Sequence, residues 1–198
     1  MRMKPGGWSL DRAAKENRED IARALIDHGD DIDAKNMVGV TPLHRTAWRN
    51  SLDVARLLIE HGADIEAKDS SSATALHSAA GKNSLDVARL LIEHSADIEA
   101  KDEGGRTPLH YAGRGNSLDV TRLLIDRGAD IKAKDMLGTT PLHHAGRANS
   151  VDNALLLIDR GAEMEAKDED GRTPLHRAVD GNSLDVTRLL IDRGADIE

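Results

Sequence analysis

The feature that most constrains this chain is its period. Thr41-Pro42-Leu43-His44 returns as Thr107-Pro108-Leu109-His110, Thr140-Pro141-Leu142-His143 and Thr173-Pro174-Leu175-His176, while Thr74-Ala75-Leu76-His77 is the same element without its proline. Successive copies stand 33 residues apart. A second landmark, Gly62-Ala63-Asp64-Ile65, keeps that period through Gly29, Ser95, Gly128, Gly161 and Gly194. The frames are 3–35, 36–68, 69–101, 102–134, 135–167 and 168–198. A period of this length means one supersecondary unit per copy, which buries its apolar face by stacking on its neighbours.

Frame 36–68 can be read from its residue types. Thr41 is a good N-cap, and Pro42 suits the first helical position because it has no N–H to leave orphaned. A short helix is predicted to about Trp48. Asn50 then tolerates a left-handed turn, and Ser51 is expected to cap a second helix. Val54, Leu57 and Leu58 give that helix one apolar face. Asp53, Arg56 and Glu60 are spaced for a charge ladder outside. Gly62 ends the helix where φ > 0 is wanted, and Gly39 serves the turn before the next opening.

A 33-residue helix pair opening on Thr-Pro-Leu-His resembles the ankyrin repeat, and the likeness covers nearly the whole chain. The resemblance implies an all-α solenoid, a curved and elongated single domain of helix pairs with short β-turn fingers. It also implies a non-enzymatic scaffold that binds another protein along its concave face. Frame 3–35 replaces the opening with Trp8-Ser9-Leu10-Asp11 and carries Lys15, Glu16 and Arg18, as expected of a degenerate N-terminal cap. Frame 168–198 keeps the apolar Leu184, Val186, Leu189 and Leu190 of an internal copy. That end is expected to continue into further repeats or to pair with something. Frame 69–101 has Ser72, Ala75 and Ser95 in place of glycine, proline and glycine, and is predicted to be the weakest internal unit. Asn153 stands where other frames have valine, and Leu155 where they have arginine.

Composition narrows the chemistry. With no cysteine there is no disulfide, thiolate metal site or catalytic thiol. No cofactor or metal is expected: His44, His77, His110, His143 and His176 repeat at 33, roughly 10 Å apart after stacking, too far to share an ion. They are read as hydrogen-bonded to turn backbone. No phosphate loop, G-x-S-x-G or H-E-x-x-H is present, and an enzyme is not expected. No signal peptide or membrane span is seen, and a cytoplasmic or nuclear protein is expected. The net charge of −8 argues against a nucleic-acid partner.

The informative positions are those that vary between frames. Four, seven and eight residues after each opening threonine, on one side of the first helix, stand Arg45, Trp48 and Arg49; Lys82; Tyr111 and Arg114; His144 and Arg147; and Arg177. The finger positions beside them include Met37, Val38 and Val40, Arg106, Met136 and Leu137, and Arg172. In an acidic chain this is a basic stripe interleaved with residue types enriched in binding cores. The expected partner is a protein with an acidic segment. The alternatives are self-association of an otherwise monomeric chain through its last repeat, and polyanion or RNA binding on the stripe.

Overall fold

The computed structural model describes residues 7–197. Residues 3–6 of the first frame, Glu198 of the last, and the N-terminal stretch inspected for a leader lie outside the described residues in whole or part. The described chain is all helical. Its elements run α1 (Leu10–Lys15), α2 (Glu19–Asp27), α3 (Pro42–Arg49), α4 (Leu52–Glu60), α5 (Ala75–Lys82), α6 (Leu85–Glu93), α7 (Pro108–Gly115), α8 (Leu118–Asp126), α9 (Pro141–Arg147), α10 (Val151–Asp159), α11 (Pro174–Asp180) and α12 (Leu184–Asp192). Each frame therefore supplies one helix pair.

The chain forms two compact units. The first takes the N-terminal residues to Ala79 together with Ser84–Asp97, and the second takes Ala80–Asn83 and the chain from Ile98. In the first, α1 packs on α3 and α2 on α4, with α6 against α3 and α4. In the second, α7, α9 and α11 pack in sequence, as do α8, α10 and α12. Leucine, valine and alanine fill both cores. Leu43, Val54, Leu57 and Leu58 are buried in one, and Leu109, Val120, Leu124, Leu142 and Leu157 in the other.

The Thr-Pro-Leu-His element forms a reciprocal cap. In frame 36–68 the Thr41 N–H donates to His44 Nδ1 at 3.3 Å, and the His44 N–H reaches back to Thr41 Oγ1. His44 Nε2 lies 3.0 Å from the Ala73 carbonyl, in the next finger. An acceptor at Nδ1 and a donor at Nε2 define one neutral tautomer. The same arrangement joins His110 to the Thr139 carbonyl and His143 to that of Arg172. Burial, the largest influence, lowers the pKa of all three rings, that of His110 to about 4.

The second helices are capped differently from expectation. Ser51 occupies the N-cap position without a capping hydrogen bond. The Val54 N–H instead donates to the Asn17 side-chain oxygen at 3.3 Å, and the Asn17 amide donates to Asp53 at 2.9 Å. Asn17 is the left-handed residue (φ 50°) between the preceding pair of helices. α4 is thus capped by the asparagine of the repeat before it, and Asp53 serves this link rather than the external ladder. Asn50 with Asp86, Asn83 with Asp119 and Asn149 with Asp185 repeat the device.

That ladder is interrupted at Asn153. Its side chain is fully buried and donates to the Ala112 carbonyl at 2.7 Å, leaving its own oxygen without a partner. Leu155, read as exposed, is half-buried. Ser72 (φ 61°) and Ser95 (φ 68°) do hold the left-handed conformation that glycine occupies in the other frames.

Candidate functional site

Each finger of the second unit is built around one aspartate. Asp102 Oδ1 accepts the amides of Gly104 and Arg106 at 2.8 and 2.9 Å. Asp135 does the same for Leu137 and Thr139, and Asp168 for Asp170 and Arg172. The other carboxylate oxygen reaches the first helix nine residues on. Asp102 Oδ2 accepts from the Tyr111 hydroxyl at 2.8 Å, Asp135 Oδ2 lies 3.0 Å from His144 Nε2, and Asp168 Oδ2 accepts from Arg177 Nε at 2.7 Å. Burial alone would raise these carboxyl pKa values. The hydrogen bonds outweigh it and hold all three below the usual carboxylate range, Asp135 furthest.

These aspartates change the meaning of the basic stripe. Arg106 is engaged by Asp102, Arg177 by Asp168 and Asp170, and Arg172 by Asp180. His144 is held by Asp135 and stands edge-on to His110, with ring centroids 5.3 Å apart. Arg114 and Arg147 are different: both are exposed, and neither has an ion pair or side-chain hydrogen bond among the described residues.

A groove of about 720 Å³ on the second unit brings together Arg106, Arg114, Met136, Leu137, His144, Arg147 and Arg177. Its finger is apolar, with Met136 at 67% and Leu137 at 62% exposure. Tyr111 lies half-buried against Asp102, and Lys82 is exposed at the end of α5. In the first unit Met37, Val38, Trp48 and Arg49 are exposed and Val40 is half-buried. Arg45 there donates to Asp11 at 2.8 Å.

Sequence reasoning passed over Asp102, Asp135 and Asp168; the finger residue Thr139 donates its hydroxyl to Asp135. A signal was available: an aspartate nine residues ahead of the variable helix position. Asn36 ahead of Arg45, and Asp69 ahead of the short Ser78, break that pattern in the first unit.

The last repeat exposes Val179, Leu184, Ile191 and Ile197 beside a hollow of about 260 Å³. His176 Nε2 and the Asn182 amide, whose counterparts link to the next repeat, have no partner among the described residues. At the other end Arg18 occupies the slot that holds a buried serine in later frames, such as Ser183 against the Arg147 carbonyl.

The stacked helix pairs define a helical repeat protein. The family model for ankyrin repeats matches in three copies, over residues 10–69, 68–135 and 131–198, and the chain belongs to the ankyrin repeat family. Members generally mediate protein–protein interaction and are typically non-enzymatic. No curated protein matches the chain. Among the described residues no helix is long and apolar enough to cross a membrane.

Proposed function

We propose that the chain is a non-enzymatic binding module whose second-unit groove takes an acidic segment of another protein. One observation carries this reading: Arg114 and Arg147 border an apolar finger and have no internal partner among the described residues, while the finger carboxylates are already hydrogen-bonded. Such cations can meet an incoming carboxylate without first breaking an ion pair, and Met136 and Leu137 offer apolar area between them. The groove precedes the ligand, which limits the ordering cost on this side. Arg49, Lys82 and Trp48 lie outside this groove.

The test is fluorescence anisotropy with a labelled octaglutamate peptide. Wild type should bind with an affinity that falls as salt rises, and Arg114→Glu/Arg147→Glu should bind at least about tenfold more weakly. Equal binding by both proteins would remove the groove from the account. Tighter binding of a random single-stranded RNA than of the peptide would replace the protein partner by a nucleic acid.

A second reading is favoured by the exposed Val179, Leu184, Ile191 and Ile197: association through the last repeat. Sedimentation velocity at rising concentration separates a monomer from an assembly, and Ile191→Asp should abolish any assembly formed through this face.

A further inference from the structure

We propose that the groove measures spacing as well as charge: it selects an extended partner segment carrying two carboxylates three residues apart, one for Arg114 and one for Arg147. The inference rests on the acidic-segment reading above and adds the geometry of the ligand.

The spacing comes from the helices. Arg114 and Arg147 occupy the same position of α7 and α9, one repeat apart. These helices approach closely because Gly113 stands at their contact. A Cβ on Gly113 would lie 2.7 Å from the Pro141 carbonyl oxygen. Such a contact keeps the repeat step within the usual interaxial range, about 8–10 Å. An extended chain advances roughly 3.1–3.4 Å per residue, so three residues cover about 9–10 Å. In a polyproline-II segment residues i and i+3 also point the same way. A helix would need residues i and i+7 to cover about 10.5 Å.

Two further features favour the extended ligand and limit it to two charges. The positions next to the arginines are the small Gly115 and Ala148, both exposed, so a partner backbone meets little bulk there. Beyond Arg147 the next repeat places Asp180 at the equivalent position, with Asp170 beside Arg177. Both are already paired with arginines, so a third ligand carboxylate placed one step further would find no unengaged cation there. Between the two acidic residues an apolar side chain would rest on Met136 and Leu137.

Four labelled peptides decide the matter, each with two glutamates and one leucine in a neutral background. Three are extended, with the glutamates at i,i+1, i,i+3 and i,i+5. The fourth is an alanine-based helix with glutamates at i,i+7. Anisotropy should rank the i,i+3 peptide about tenfold tighter than the others. In Arg114→Gln and in Arg147→Gln that preference should disappear, with unchanged melting temperatures. Equal affinity for all four would overturn the spacing rule while leaving acidic recognition intact. Tightest binding of the helical peptide would overturn the extended conformation. Failure of these peptides together with octaglutamate would overturn the acidic-segment reading itself.

Discussion

The last repeat and the two before it carry comparable numbers of arginines on the same side of the second unit, yet they differ in what those arginines do. Arg177 is 14% exposed and clamps Asp168, whose side chain is inaccessible; Arg172 pairs with Asp180. Arg114 and Arg147 extend from α7 and α9 with no internal partner among the described residues. A positive stripe read from residue types therefore divides into cations engaged within the fold and cations with no internal partner among the described residues. The division follows the carboxylates nearby: Asp102 engages Arg106, Asp168 and Asp170 engage Arg177, and Asp180 engages Arg172.

The sharpest way to break this comparison is to remove one arginine of each kind. Arg177→Ala leaves Asp168 buried without its cation, though the turn amides of Asp170 and Arg172 still bond it. Urea denaturation should show a loss of about 2–3 kcal/mol. Arg147→Ala should stay within about 0.5 kcal/mol of wild type. Equal effects would mean that the two arginines have the same role.

Acid provides a second test. His44, His110 and His143 are held neutral in the fold with lowered pKa values, while the unfolded chain regains the ordinary 6.5. The unfolded state therefore binds more protons below that value. Stability should be flat above about pH 6.5 and fall toward pH 4, where His110 itself titrates. The lowered carboxyls of Asp102, Asp135 and Asp168 add a further loss below the ordinary carboxylate range as they protonate in the fold. A midpoint in urea that does not move between pH 7 and pH 5 would contradict the neutral assignment.

Smaller effects test the irregular repeats. Asn153→Val removes a buried oxygen without a partner and returns the residue type of the other frames, at the cost of the bond to Ala112. A net gain of about 1 kcal/mol is expected by thermal denaturation. Ser72→Gly and Ser95→Gly relieve left-handed strain and should each stabilise by about 1 kcal/mol or less, because glycine also gains freedom in the unfolded chain.

Much of the fold was legible because its signals are local. Threonine, proline and histidine of one tetrapeptide make the first cap, and Gly39 and Gly62 mark turns with positive φ. The second cap was misread because its acceptor is Asn17, 37 residues before the Val54 amide it receives. Only stacking brings those residues together. The site was legible in residue type and face: Met136, Leu137, Arg114 and Arg147 do share a groove. Which arginines are engaged internally was not, because Asp168 and Arg177 meet only after the finger folds back on its helix.

The central claim is that Arg114 and Arg147 are available for a ligand while Arg177 serves the fold. Titration of the i,i+3 glutamate peptide into wild type, Arg114→Gln/Arg147→Gln and Arg177→Lys, with melting temperature recorded for each, tests it most directly. The account predicts that the double variant keeps its melting temperature and loses binding, and that Arg177→Lys melts earlier but binds at low temperature as wild type does. Undiminished binding by the double variant, or a binding loss confined to Arg177→Lys, would contradict it.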